Sequence, residues 1–217
     1  MEKRIEGIIV DDQPLFSEGL TSLLKHFNIH ITDRPLNGKE LLSVLRTKTP
    51  DVILLDLEMP ILNGSETFNS LKKEFPKSKI IIVSSYHDEE LIKDYFNRGA
   101  QAYVSKSSSS NTIVDAIRKV ASNGVYKDNI PELLKEKVVK DKHYYKLIYS
   151  KRELEIIELL CEGKSVKEIE DKLCIAGKTV ETHLTEIYKK AKVKNRQKFL
   201  IFAIKEGLNF LGGNKKG

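Results

Sequence analysis

The sequence has few of the features that mark a secreted or membrane-spanning protein. Only two of its 217 residues are cysteines, Cys161 and Cys174, which excludes a disulfide framework and fits a reducing compartment. No apolar run approaches the roughly 20 residues that a membrane-spanning helix needs. The first residues, MEKRIEGIIVDD, lack the apolar core of a secretory signal. We therefore expect a cytoplasmic protein that does not contact a membrane.

Charge is distributed unevenly along the chain. The net charge is +6, and charged residues make up 31% of a sequence that is 40% hydrophobic, values typical of a globular protein. Residues 1–123 carry 16 basic and 17 acidic side chains, whereas residues 150–217 carry 15 basic and 10 acidic ones. A basic second half favours a polyanionic partner such as nucleic acid, although a solvated lysine-rich surface is the alternative.

The first half alternates apolar runs with amphipathic segments. The runs 5–10, 28–32, 51–57, 79–85 and 100–105 have the composition of strands, and DVILLDL in particular has the continuous apolar character of a strand buried on both faces. Helical spacing follows each run, at about 14–27, 36–47, 65–75, 88–98 and 110–122. Five such repeats predict an α/β fold, a five-stranded doubly wound parallel sheet with helices on both faces.

The pattern changes beyond residue 123. Residues 124–149 are highly charged and lack the strand-helix alternation, which is typical of a partly helical linker. Helical periodicity then returns at 151–162, 166–173, 177–191 and 196–206, which predicts a second, all-α domain of four short helices. We therefore divide the chain into a domain at 1–123, a linker at 124–149 and a domain at 150–217.

Charged and hydroxyl side chains lie at the carboxyl ends of the predicted strands of the first domain. The first strand ends in Asp11 and Asp12, the third in Asp56 and the fourth in Ser84, and Lys106 follows the fifth. Since function in such sheets lies beyond the carboxyl ends of the strands, we expect these side chains to converge. Three carboxylates together need a cation, and their oxygens suit Mg²⁺. The hydroxyl and the ammonium suit a transferred phosphoryl group.

These residues, with the segments DLEMP and YVSK, resemble the receiver domain of two-component response regulators, which has a flavodoxin/CheY-like fold. The resemblance implies that Asp56 is the phosphoacceptor for a sensor histidine kinase. It also implies that Asp12, Asp56 and the backbone carbonyl of Glu58 hold Mg²⁺, with Asp11 acting mainly through metal-bound water. Such a protein transfers a phosphoryl group to and from itself but is not otherwise an enzyme.

The same resemblance assigns roles on the other side of the pocket. It implies that Ser84 donates a hydrogen bond to the phosphoryl group and that Lys106 pairs with the same oxygens. Tyr103 takes the place of the aromatic residue whose inward turn accompanies the movement of Ser84 when a receiver switches.

The second half reads as a helix, a tight turn and a second helix, the pattern of a helix-turn-helix. The sequence RELEII…KEI…TVETH…NR resembles the LuxR-type domain of the NarL/FixJ response-regulator subfamily. The resemblance implies that this domain binds double-stranded DNA. Contacts to bases or phosphates are then expected from a set of polar residues on and around the second helix: Lys164, Lys178, Thr179, Glu181, Thr182, Thr185, Lys189, Lys190 and Arg196.

Some positions of this domain depart from the family pattern. Glu170 stands where the family usually has a small alanine, and Ala176-Gly177 replace a common Ser-Glu pair. Glu181 puts a negative charge on the helix that is expected to face the groove, where it favours cytosine over phosphate.

Together the two halves predict a response regulator that controls transcription and that dimerises when it is phosphorylated. The alternative is a receiver whose helical domain binds a partner protein instead of DNA, which the two glutamates favour.

Overall fold

The computed structural model describes residues 4–134, 144–145, 148–206 and 208. The middle of the predicted linker and the last residues of the predicted second domain lie outside this described part. Contacts between residues divide the chain into two compact units, Met1–Val138 and Val139–Gly217. The division falls within the segment predicted as a linker, and each unit is described by itself below.

The first unit is a five-stranded parallel sheet flanked by helices. The strands are β1 (Ile5–Val10), β2 (Ile29–Asp33), β3 (Val52–Asp56), β4 (Ile80–Ser84) and β5 (Ala102–Ser105). The helices between and after them are α1 (Pro14–Lys25), α2 (Gly38–Leu45), α3 (Gly64–Glu74), α4 (Glu89–Asn97) and α5 (Ser110–Ala121). The strand order is β2-β1-β3-β4-β5, which confirms the predicted fold and places the topological switch point between β1 and β3.

Burial explains why the central strands are the most apolar segments. Every residue of β3 and β4 is buried, because helices cover both faces of the sheet. One continuous core lies between the sheet and the apolar faces of α1 and α5, and it includes Leu24, Leu54, Val83, Val104 and Ile117. The rigid centre of the sheet therefore carries the residues at, or directly beyond, the carboxyl ends of β1, β3, β4 and β5.

The loop between β3 and α3 lies close against the end of β3. A Cβ atom on Gly64 would lie 2.2 Å from the carbonyl oxygen of Asp56, so only glycine fits at this approach. Asn63 and Glu66 form a capping box at the start of α3, which fixes where the helix begins. Ile61 has a φ of 68°, an unusual value for a β-branched residue. The loop is thus strongly constrained next to Asp56.

The second unit is helical, as the sequence predicts. Its helices are α7 (Lys151–Cys161), α8 (Val166–Leu173), α9 (Gly177–Lys190) and α10 (Arg196–Lys205). Cys174 ends α8 in the left-handed conformation and begins the tight turn to α9. The core consists of apolar side chains from all four helices, among them Ile157, Leu160, Ile169, Val180, Ile187 and Phe199. Among the described residues, no helix has the length and apolar character to cross a membrane.

Both ends of segment 124–149 pack on the units that they join. In the first unit, Tyr126 forms a parallel bridge with Ala102 of β5, and the side-chain amide of Asn129 donates to the carbonyl oxygen of Tyr103 over 2.8 Å. A short helix, α6 (Ile130–Leu133), follows. In the second unit, the hydroxyl of Tyr145 donates to the carboxylate of Glu206. The exact domain boundaries stay a prediction.

Candidate functional site

Three aspartates meet at the topological switch point of the sheet. Asp11 directly follows β1, and Asp56 is the last residue of the neighbouring β3. One carboxylate oxygen from each of Asp11, Asp12 and Asp56 lies within 4.8 Å of the other two. Asp11 and Asp56 are buried, whereas Asp12 is partly exposed. Parallel strands bring together residues that are far apart in sequence, as expected from their positions after the strands.

Lys106 reaches this cluster from the end of β5. Its Nζ lies 2.8 Å from Oδ2 of Asp11 and 3.0 Å from Oδ2 of Asp56. The same ammonium lies 5.0 Å from the centre of the Phe16 ring, which helps to hold the side chain over the pocket. One ammonium is thus shared by two buried carboxylates, and three ionised aspartates would leave two negative charges without a counterion.

The electrostatics of the pocket follow from burial. Burial raises the pKa of Asp56 to about 7, since the attraction of Lys106 only partly opposes it and the charge of Asp11 adds to it. Burial alone would lower the pKa of Lys106, but Asp56 and Asp11 outweigh it, and that pKa is raised. Lys106 therefore stays charged, whereas binding of a further cation favours loss of the proton from Asp56.

The donor set of the pocket fits a hard cation. Within the described residues, the buried Oδ1 of Asp12 has no hydrogen-bond partner. A buried carboxylate oxygen in that position is costly unless a cation or water occupies the space beside it. The backbone N–H of Glu58 donates to Oδ1 of Asp56 over 3.1 Å. The role of the Glu58 carbonyl as a metal ligand stays a prediction. Oxygen ligands of this kind suit Mg²⁺.

Ser84 and Tyr103 are joined through the backbone of Tyr86. Ser84 is buried at the end of β4, next to Val83, which pairs with Asp56 across the sheet. The Oγ of Ser84 accepts from the N–H of Tyr86 over 3.1 Å, and the hydroxyl of Tyr103 donates to the carbonyl of the same residue. Tyr103 is fully buried, so in this conformation the aromatic ring is turned inward.

The second helix of the helix-turn-helix, α9, has a polar exposed face. Lys178, Thr182, Thr185 and Lys189 are exposed and recur at the three- or four-residue spacing of one helix side. Thr179 and Glu181 are also exposed. The hydroxyl of Thr182 donates to the carbonyl of Lys178 and that of Thr185 to the carbonyl of Glu181, each over 2.9 Å. The opposite side of α9 is buried through Val180, Leu184 and Ile187.

Three of the predicted DNA contacts interact with parts of the helical unit outside α9. The Nζ of Lys190 lies 2.6 Å from a carboxylate oxygen of Glu153, whose side chain is only 5% exposed. The guanidinium of Arg196 donates to the backbone carbonyl of Lys164 over 2.7 Å, and the ammonium of Lys164 lies 3.4 Å from Glu168. Each of these side chains therefore has a structural function, and its contact with phosphate stays a prediction.

Comparison with known families identifies both units. The model of the response regulator receiver domain matches residues 8–118, just over half of the chain. The model of the luxR family of bacterial regulatory proteins matches residues 147–203. The chain is a LuxR-family response regulator. The strand-end carboxylates and the helix-turn-helix of this response regulator fall within the matched segments.

Two curated relatives match this response regulator over nearly its whole length. The transcriptional regulatory protein LnrK of Bacillus subtilis (strain 168) is 31% identical over 94% of this chain and 99% of its own. The response regulator protein VraR of Staphylococcus aureus (strain Mu3 / ATCC 700698) is 29% identical over 94% of this chain and 98% of its own. The arrangement of the two units along the chain is therefore that of the relatives.

Solved structures have the same fold. The response regulator ChrA of a heme-sensing two-component system is 26% identical, with a TM-score of 0.50 over 94% of this chain and 98% of that one. RcsB from Salmonella enterica serovar Typhimurium, solved bound to a promoter in the presence of a phosphomimetic, is 21% identical, with a TM-score of 0.58 over 92% and 98% of the two chains. At that identity the second comparison supports the fold alone.

Sequence reasoning did not identify several residues that shape the sites of this response regulator. Phe16 lies under the ammonium of Lys106, and nothing in the spacing of α1 distinguishes it from a core residue. Glu153 is buried and binds Lys190, 37 residues away. Its place three residues after Ser150 is a capping-box signature that predicts a helix start, but it does not predict the partner.

Proposed function

We propose that this response regulator accepts a phosphoryl group on Asp56 from a sensor histidine kinase in the cytoplasm and that phosphorylation controls DNA binding by its helical unit. One observation carries the first part of the proposal. The ammonium of Lys106 bridges Asp11 and Asp56 in a pocket that holds a third carboxylate. A buried acid beside a fixed cation and a divalent-cation donor set suits transfer of a phosphoryl group to a carboxylate.

Mg²⁺ is the proposed cofactor, held by Asp12, Asp56 and the Glu58 carbonyl, with Asp11 acting through water. The unpartnered Oδ1 of Asp12 supports this assignment. When bound, Mg²⁺ supplies the positive charge that offsets repulsion among the carboxylates and the incoming phosphoryl oxygens.

The residues of the pocket then have distinct tasks. A deprotonated oxygen of Asp56 attacks phosphorus, the phosphorus–nitrogen bond to the kinase histidine breaks, and the histidine nitrogen keeps the electron pair. Lys106 moves its ammonium from Asp56 to a phosphoryl oxygen and remains paired with Asp11. Ser84 donates its hydroxyl to another phosphoryl oxygen. Because Ser84 and Tyr103 both bond the backbone of Tyr86, a shift of Ser84 is transmitted to the Tyr103 ring.

The exposed face of α9 is the proposed DNA-reading surface. Its lysines and threonines suit phosphate and base contacts, and Glu181 suits the amino group of a cytosine. RcsB, which has the same fold, has been solved on a promoter, and LnrK is a transcriptional regulatory protein. A phosphorylated dimer would place two such helices on the two half-sites of a regulatory sequence.

The phosphoacceptor assignment is tested with acetyl phosphate and Mg²⁺. Mass spectrometry of the wild type should show one added phosphoryl group, which chelation of Mg²⁺ prevents. The D56N variant should gain none, because its amide is not a nucleophile. D94N, which changes an exposed aspartate of α4, is the matched control and should be phosphorylated as the wild type is. Equal labelling of D56N and the wild type would overturn the assignment.

Glu181 and Glu170 support a second candidate, in which the helical unit binds a protein. Salt dependence distinguishes the two functions, because each contact to a DNA phosphate releases counterions. A larger number of such contacts therefore gives a steeper fall of affinity with rising salt concentration. DNA binding predicts a steep salt slope and selection of a defined sequence from genomic fragments. A shallow slope without sequence selection would favour the protein partner.

A further inference from the structure

The helix that carries the proposed DNA-reading surface begins without a capping side chain of its own. Ala176 stands at the N-cap of α9, and alanine has no oxygen that could accept a hydrogen bond from the first amides. The neighbouring helices begin differently. Ser150 and Ser165 form capping boxes at the starts of α7 and α8, and Asn195 caps α10. The start of α9 is therefore the exception within its unit.

A carboxylate from another helix lies at this start. A Cβ atom on Gly177, the first residue of α9, would lie 2.9 Å from Oε2 of Glu170 and 3.5 Å from its Cδ. Glu170 belongs to α8, which packs directly on α9. The space that a side chain at position 177 would occupy is thus filled by a carboxylate that comes from the preceding helix.

This placement has two physical consequences. The first amides of a helix have no partner within the helix, and a negative charge near them is stabilising. The close approach also requires that residue 177 have no Cβ, since an alanine there would displace the carboxylate. The two observations are complementary, because α9 has no capping oxygen of its own at Ala176 and a carboxylate from α8 lies at its start.

We propose that Glu170 is the positioning residue of α9: its carboxylate places a negative charge at the uncapped start of α9 and, with Gly177, fixes this start against α8. The placement of Glu170 at the start of α9 is independent of the proposed function, and only its importance for DNA recognition rests on that function. The end of α9 that carries Lys178 and Thr179 is therefore already next to a negative charge from its own domain.

Hydrogen exchange of the full-length protein tests the charge. The E170Q variant keeps the size of the side chain but not its charge, so amides in the first turn of α9 should exchange about two- to fivefold faster, the factor expected for loss of a charge near a helix N-terminus. D171N removes the same charge from the neighbouring, exposed position of α8 and should leave these amides unchanged. Equal effects of E170Q and D171N would overturn the proposal.

The complementarity of Glu170 and Gly177 is tested by whether a second substitution, G177A, raises or lowers the rate of amide exchange. G177A in the wild-type background displaces the carboxylate and should increase exchange in the first turn of α9. In the E170A background the same substitution meets no carboxylate, and it should decrease exchange about two- to fivefold because alanine favours helix over glycine. The same sign in both backgrounds would contradict the proposal. These measurements use no DNA, so failure of the wild type to bind DNA would contradict the proposed function alone.

Discussion

At the scale of single residues, Asp56 combines a proposed function with a cost in stability. Its carboxylate is 1% exposed and shares one ammonium with Asp11. Burial raises its pKa to about 7, which means that the folded protein holds a proton there more tightly than the unfolded chain does. Deprotonating Asp56 near neutral pH therefore destabilises the fold. A bound cation or phosphoryl group offsets the free-energy cost of the buried charge.

We expect the D56N variant to be more stable than the wild type at pH 8 and not at pH 4. Between the unfolded pKa near 3.8 and the folded pKa of about 7, the folded protein binds more protons, so wild-type stability falls as the pH rises through this window. The neutral amide avoids this loss. The gain at pH 8 should reach about 4 kcal/mol in urea unfolding without Mg²⁺, because a rise of the pKa from 3.8 to about 7 costs about 1.4 kcal/mol for each pH unit.

The exposed D94N variant is the control for this pH series and should follow the wild type. A D56N gain that is independent of pH would contradict the assignment of the effect to the charge of Asp56. Addition of Mg²⁺ at pH 8 should reduce the difference in unfolding free energy between D56N and the wild type, since the cation stabilises only the carboxylate form.

At the scale of the elements, α9 makes structural contacts on one side and carries the proposed DNA contacts on another. Lys189 and Lys190 are adjacent in sequence and equal in charge. The side chain of Lys189 is 77% exposed and lies 3.9 Å from Glu186, whereas that of Lys190 is 34% exposed and binds the buried Glu153. Because successive residues of a helix point about 100° apart, the first faces solvent and the second faces α7.

We therefore expect K189A and K190A to have opposite consequences. K189A should change the free energy of unfolding by less than about 0.5 kcal/mol and should lower the salt slope of DNA binding by about one phosphate contact. K190A leaves the carboxylate of Glu153 buried without its cation and should cost about 1–3 kcal/mol in urea unfolding. Equal destabilisation by both variants would contradict this division.

At the scale of the whole molecule, charge and packing divide the chain in the same way. The first unit carries the acidic pocket, and the second carries the basic excess. Residues on both sides of the intervening segment are packed, Tyr126 and Asn129 on β5 and Tyr145 against Glu206. Asn129 bonds the carbonyl of Tyr103, so the chain that leaves the first unit is tied to the residue that is proposed to switch.

Phosphorylation of the full-length protein should increase its self-association and its affinity for DNA together. Two helical units on two half-sites make about twice as many phosphate contacts as one, so the salt slope should also steepen. Sedimentation with acetyl phosphate and Mg²⁺ should show a dimer of the wild type and a monomer of D56N. A phosphorylated wild type that remains monomeric and binds DNA no better would contradict the switch.

Much of this protein was determined by its sequence alone, because its signals are local. The apolar runs and helical spacing predict the five strands and the helices to within a few residues, and the luxR-type pattern identifies the helical unit. Asp11, Asp56 and Lys106 were predicted to converge because parallel strands end at one edge of a sheet. Each of these inferences needs only short-range periodicity and one topological rule.

Only the tertiary structure decided which partners the polar groups have. Examples are the bridge from Lys106 to two aspartates, the raised pKa of Asp56, the ion pair of the buried Glu153 with Lys190 and the placement of Glu170 at the start of α9. Each of them depends on residues from different secondary-structure elements. Pairing and pKa depend on desolvation and on distances of a few ångströms, which spacing along the chain does not contain. The sequence therefore predicts where the charges gather, and packing decides what each of them does.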